Sequence, residues 1–286
     1  SRFTPIGTLS PMRADKFRGT FDGQGYSIKN YVGNSGIFGI VEGATIKNVG
    51  MDNAIMSNSK GGALVYNAKN SEITNCWMTG LVTAGGTCGG LIGEITDSTV
   101  SSCLVDMSIS NSTSSSYSGN LIGKVNGNCT ISNSGGINHR SANALHTDLI
   151  GVLNGVANVT NCFGYSASYP TSEFCHINDP SVAAGSTFTN CLYSDNLPSS
   201  SNITVTNCTK ASYGHICNAD FMAKHGFSSN NNGWTFSGST PKLMSATKYS
   251  TLFINGEEIT SINENSSLKD VANQIKSHGG TMTIND

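Results

Sequence analysis

Apolar residues come in short runs along this chain, three to five at a time, each closed by Gly, Asn or Ser. One run recurs as a motif: an apolar residue, a small polar residue or Lys, then Asn or Ser, and often Cys. It is found as Ile28-Lys29-Asn30, Ile46-Lys47-Asn48-Val49, Ile73-Thr74-Asn75-Cys76, Val100-Ser101-Ser102-Cys103, Ile131-Ser132-Asn133-Ser134, Val159-Thr160-Asn161-Cys162, Phe188-Thr189-Asn190-Cys191 and Val205-Thr206-Asn207-Cys208. The leading apolar residues are 18, 27, 27, 31, 28, 29 and 17 positions apart. Irregular terminal units are expected of a solenoid, whose ends must be capped. A second element, two apolar residues and Gly, lies between the copies at Ile37-Phe38-Gly39, Leu91-Ile92-Gly93, Leu121-Ile122-Gly123 and Leu149-Ile150-Gly151. Leu64-Val65-Tyr66 fills the same slot without the Gly.

Leucine-rich repeats need a Leu and Asn pattern within one short consensus, and propeller blades run to about 40 residues or more, so neither fits these units. Brief apolar stretches separated by turn formers fit one coil of a parallel β-helix. There each residue lies about 4.8 Å from its counterpart in the next rung, and like residues form columns. The expected ladder is Asn48, Asn75, Asn133, Asn161, Asn190 and Asn207. Their amides can hydrogen-bond from rung to rung, and Asn tolerates the left-handed backbone of a corner. Beside them Cys76, Cys103, Cys162, Cys191 and Cys208 share one repeat position. An inward column of thiols packs as small apolar groups, a reading preferred here to disulfides; nine cysteines cannot all pair within the chain. Zinc ligands come at much closer spacing than these, so no metal is expected.

The segment Phe17-Arg18-Gly19-Thr20-Phe21-Asp22-Gly23-Gln24-Gly25-Tyr26-Ser27-Ile28-Lys29-Asn30, with the Gly39 to Asn48 unit and its copies, resembles the GLUG-motif repeat proteins of gut Bacteroidetes. The same repeat occurs beside a peptidase domain in certain streptococcal IgA-cleaving enzymes. Phe221 to Phe227, then Gly233-Trp234-Thr235 to Pro241-Lys242-Leu243, looks like the segment that often ends such arrays. The resemblance spans residues 1–244 and implies a right-handed β-solenoid on a secreted or cell-surface protein with an adhesin-like role. It supplies no catalytic residues. Tyr66, Ser102 and the stretch after Gly151 depart from the pattern.

The fold expected is therefore all-β: a parallel β-helix over 1–244, capped near 1–30 and terminated near 218–244, then a small α+β segment over 245–286. In that last part Leu252-Phe253-Ile254, the Asn255-Gly256 turn and Ile259 to Ile262 predict a hairpin. Ser266 or Ser267 can cap a helix with Leu268, Val271, Ala272 and Ile275 on one face, ending at Gly279-Gly280, with a strand over Thr281 to Ile284. The segment is too small for a core of its own, so it is expected to dock on the last coil or to belong to a larger domain.

Composition narrows the function. Charged residues are 12% of the chain, against about 25% in ordinary domains. The net charge of −2 leaves no basic surface for phosphates, which argues against nucleic acid and anionic membrane as partners. No apolar run reaches the ~18 residues of a transmembrane helix. The chain opens Ser1-Arg2-Phe3, with neither an initiator Met nor a signal-like stretch, and is read as a processed or excised polypeptide.

Few residues offer chemistry. His139, His146, His176, His215, His225 and His278 follow no repeat, and neighbours such as Cys175 and His176 point to opposite faces of a strand. Asp52 and Asp106 fall two coils apart with Thr79 between, about 9.6 Å by rung spacing. That is at the edge of the 5–9.5 Å of paired hydrolase carboxylates. No Lys or Arg joins them, and Asp22 reads as a turn residue. Loops such as Asn126-Gly127-Asn128 and Asn178-Asp179 lack the acidic spacing of calcium loops. Tyr117, Tyr165, Tyr169 and Tyr193 lie in loop-like stretches and can stack on sugars. The sequence thus predicts a non-enzymatic adhesin-like protein without cofactor that presents loops to a glycan or a host or matrix protein. A carbohydrate-active enzyme and a plain spacer are the alternatives.

Overall fold

The computed structural model describes residues 4–111, 118–139, 146–167, 173–228, 234–236, 240–243, 251–254, 257–258 and 282–285. The chain winds as a parallel β-solenoid with three strand faces per coil. The first face stacks Phe38–Glu42, Val65–Lys69, Ile92–Thr96 and the starts of Ile122–Ser132 and His146–Thr160. The second stacks Glu72–Thr74, Thr99–Ser101, the ends of those two long strands, Thr187–Thr189 and Thr204–Thr206. The third stacks Trp77–Gly89, Leu104–Asn111, Gly135–Asn138, Phe163–Ser166 and Leu192–Tyr193.

Side-chain alternation explains why these short runs suffice. On the second face Phe21, Ile46, Ile73, Val100, Ile131, Val159, Phe188 and Val205 lie in one continuous register. All but the last are buried, because each is covered by the rungs on both sides. Val205, in the final coil, is 43% exposed. A three-residue strand with one inward side chain is marginal alone. Stacking makes that single residue part of a core running the length of the array.

The turn from the second face to the third is made at Asn48, Asn75, Ser102, Asn133, Asn161, Asn190 and Asn207, whose φ angles lie between 48° and 55°. This left-handed conformation costs most residues about 1–2 kcal/mol, and Asn is among the few that adopt it readily. Asn75 donates to the Asn48 carbonyl at 2.7 Å and Asn161 to that of Asn133 at 3.3 Å. Asn48 donates to the Asp22 carboxylate at 2.8 Å. The cysteines follow immediately: Cys76, Cys103, Cys162 and Cys191 are buried, Cys208 is half-buried, and all nine thiols are free. Ser134 takes the thiol's place in one coil, its hydroxyl accepting from Cys103 N–H at 3.0 Å.

Two expectations need correction. Ile28-Lys29-Asn30 is not in the motif register: Phe21 pairs with Ile46 and Asp22 with Lys47, while Ile28 pairs with Met51. The Gly23-Gln24-Gly25 insertion, with Gln24 at φ 52°, displaces the first coil by several residues, and Asn30 stacks on Asn53 instead. In its described residues the C-terminal segment meets the first coil and not the last. Its strand Met282–Asn285 pairs in parallel with Thr20–Lys29 of the first coil, placing Met282 opposite Phe21. The hairpin is present, but Thr251–Ile254 returns through Glu257–Glu258. The proposed helix after Ser266 lies outside the described residues.

Candidate functional site

The outer side of the third face carries an unusual amount of apolar surface. Gly50, Trp77, Leu104, Gly135, Phe163 and Leu192 succeed one another rung by rung. The glycines make room for the rings. A Cβ on Gly50 would lie 2.0 Å from Trp77, and one on Gly135 would lie 2.0 Å from Phe163. The chain covers this rank itself with two short helices, α1 (Tyr213–Ile216) and α2 (Ala219–Lys224), and an antiparallel pair, Trp234–Thr235 with Lys242–Leu243. Ile216, Met222, Phe227 and Trp234 are buried against Leu104, Ile137, Phe163 and Leu192. Phe163 meets Phe227 and Trp234 edge-on at 5.3 and 5.4 Å. Ser212 caps α1 and Asn218 caps α2, each accepting a backbone N–H.

The next outward rank is polar, and the cap lies along its border. Thr79 Oγ1 donates to Asp52 at 3.0 Å and accepts from Asn53 N–H at 2.9 Å. Asp106 follows Thr79 in register, then Ile137, then Tyr165. Asp52 and Asp106 therefore do not converge; Thr79 satisfies one and His139 the other. His139 Nε2 bonds to Asp106 Oδ1, with the imidazole 40% and the carboxylate 19% exposed. The His139 ring stands edge-on to Tyr213 of the cap at 5.7 Å, and Tyr165 lies tilted against Tyr213 at 5.2 Å. Partial burial, and then a hydrogen bond with the Cys217 thiol, push the Tyr213 phenol up to about 12. Cys217 is itself raised by burial, against the lowering effect of Tyr213. Asp106, His139, Tyr165, Tyr213 and Cys217 thus form one half-exposed cluster of two phenols, an imidazole, a carboxylate and a thiol.

Of the tyrosines expected to bind ligand, two are described, and of these Tyr165 belongs to this cluster. It sits in the strand Phe163–Ser166, not in a loop. Tyr193, in the strand Leu192–Tyr193, packs against the interior core. Tyr117 and Tyr169 lie outside the described residues. Tyr213 was missed because nothing in its own surroundings, Ser212 to Ile216, repeats; its place depends on how the cap folds back.

Two further polar arrays are present, one at the small polar position of the repeat and one that no repeat marks. On the second face the residues flanking the apolar column point outward, giving ranks such as Thr74, Ser101, Ser132, Thr160, Thr189 and Thr206. Thr74 and Ser101 share a hydrogen bond of 2.8 Å. Inside the solenoid, His146 Nε2 contacts Asn120 Oδ1 at 2.6 Å and Asn138 Nδ2 at 3.1 Å, while Asp148 accepts from Ser194. Gly136 and Gly164 open the space: a Cβ on either would come within 2.5 or 2.7 Å of the Asn120 or Asp148 side chain. Complete burial holds the His146 imidazole down to about 3, so it is neutral. Among the described residues no three His, Cys, Asp or Glu side chains could hold a metal ion, and no helix is long and apolar enough to cross a membrane.

No family model and no curated protein matches the chain, so the GLUG-motif resemblance rests on the residues quoted for it. The fold is similar to that of a crystal structure described as a putative immunoglobulin A1 protease from Bacteroides ovatus. The likeness has a TM-score of 0.58 at 19% identity and covers 79% of this chain and 77% of that one. It concerns the fold alone.

Proposed function

We propose that this chain is a non-enzymatic, adhesin-like protein of the cell surface or extracellular space that binds a glycan along the capped face of its solenoid. The observation that carries the reading is the half-exposed Tyr165–Tyr213 pair bordering the Asp106–His139 contact. Phenol rings give sugars a flat apolar surface with a polar tip. A carboxylate and an imidazole beside them accept and donate hydrogen bonds to hydroxyls. Thr79 and Asp52 extend the polar rank one coil further. The near absence of net charge, −2 over the chain, suits a neutral polyhydroxylated ligand better than a polyanion.

A carbohydrate-active enzyme is the competing reading, favoured by the Asp106–His139 contact. The protease named for the similar structure extends that reading to peptide hydrolysis. Both are tested together. Wild type, Tyr213→Ala and Asp106→Asn are screened on arrays of glycans and matrix proteins, with and without calcium, and their products are analysed by mass. Binding of a glycan by wild type that falls at least tenfold in Tyr213→Ala, with the ligand recovered intact, supports the proposal. Cleaved sugar or peptide that disappears in Asp106→Asn would replace it with the enzyme, and silence on every array would leave a spacer.

A further inference from the structure

We propose that Cys208 and Cys191 form a reactive thiol pair that a hydroperoxide converts to a disulfide, fastening the last coil of the solenoid to the coil before it. The inference does not depend on the glycan site, which lies on the outer side of the third face, whereas these cysteines sit at the corner leading into that face.

Geometry singles out this pair. Thr189 is in register with Thr206, and Leu192 with Thr209. The intervening Asn190 and Asn207 share a φ of 52°, so Cys191 and Cys208 occupy equivalent places in adjacent rungs. Their Cα atoms are then about 4.8 Å apart, one rung, within the 4.4–6.8 Å that disulfides adopt. Cys191 N–H donates to Cys208 Sγ at 3.4 Å. Among the described residues no further coil covers Cys208, which is half-buried while Cys76, Cys103, Cys162 and Cys191 are buried. Cys76 and Cys103 are also rung neighbours, but both lie in the core, out of reach of a solute. Cys217 is half-buried on the cap beside Tyr213, with its thiol raised.

The electrostatics run the same way. A hydrogen bond from the Cys191 thiol, helped by backbone N–H, brings Cys208 down to about 7. The same bond, with burial, keeps the proton on Cys191 well above the usual thiol range. The nucleophile is thus the accessible sulfur, and the proton donor is the buried one. Cys208 thiolate attacks one peroxide oxygen: an S–O bond forms, the O–O bond breaks, and hydroxide or alkoxide leaves. Cys191 sulfur then displaces the oxygen of the sulfenic acid. The S–S bond forms, the S–O bond breaks, and the Cys191 proton leaves with that oxygen as water. The two thiols together supply the two electrons that reduce the peroxide.

The full chain is treated with hydrogen peroxide, alkylated in denaturant and digested with chymotrypsin, which cuts after Tyr193 and separates the two cysteines. The expected result is loss of two of the nine thiols and a Cys191–Cys208 linked peptide pair that dithiothreitol splits. Cys191→Ser should instead accumulate a sulfenic acid at Cys208 that dimedone traps. Without peroxide, iodoacetamide should alkylate Cys208 first, with a midpoint near the value of about 7 given above. Nine thiols surviving peroxide, a disulfide that excludes Cys208, or alkylation of Cys217 ahead of Cys208 would overturn the proposal.

Discussion

Each coil passes from its second face to its third through a single residue held in a conformation that most side chains resist, and the recurrence of Asn along the chain follows from this. Asn161 sits at φ 51° and hands a hydrogen bond to Asn133. Replacing it by Ala keeps the backbone demand and loses the amide, so urea unfolding should show a loss of about 1–2 kcal/mol. Asn161→Gly, which removes the backbone strain, should lose clearly less. Gly135 is constrained for a different reason: Phe163 lies where its Cβ would be. Gly135→Ala should cost about 1–3 kcal/mol by overpacking, measured the same way. The corners could be read in advance because Asn recurs at all but one of these turns, and Ser102 could be placed by spacing although it breaks the pattern. The buried His146 could not. Its neighbours Asn120 and Asn138 come from other coils at unequal separations, and no period marks a cluster formed once.

At the scale of elements, the solenoid and its cap are different kinds of structure. The coils repeat, and their strands were legible because one apolar residue per short run must face inward. The cap is made once, from α1, α2 and the Trp234–Thr235 pair, and its partners lie on strands far away in sequence. Trp234 is fully buried against Phe163 and Phe227. Trp234→Ala should therefore cost about 3–5 kcal/mol, the usual penalty for emptying such a site. The effect should be local. Limited proteolysis of the variant is expected to cut first between residues 213 and 243 while the coils remain protected. Simultaneous digestion of coils and cap would show that the two do not separate. Since Tyr213 belongs to this cap, half of the candidate site is positioned by the least repetitive part of the chain, and for that reason sequence alone located Asp106 and Tyr165 but not the ring that joins them.

For the whole molecule, the interior sets a pH range of stability. His146 is neutral when folded, with a pKa near 3, whereas unfolding returns it to about 6.5. Below that value the unfolded chain binds the extra proton, so stability falls with decreasing pH, at up to about 1.4 kcal/mol per pH unit from this group. Burial raises Cys88 to about 11 and Cys162 to about 12, so above pH ~8.5 it is the unfolded chain that loses protons, and stability falls again. Cys208, lowered to about 7 when folded, adds stability between about 7 and 8.5, so thermal unfolding followed across pH should show a maximum at about 8.5 with losses on both sides. A rod of this kind offers the same face to several ligand units at once, which suits weak contacts summed over a polymer. The central claim is that sugars are held at Tyr165 and Tyr213, and saturation-transfer NMR with irradiation of the aromatic protons tests it most directly. The account predicts transfer to the ring protons of a bound oligosaccharide, lost in Tyr213→Ala at unchanged melting temperature; transfer undiminished in that variant would contradict it.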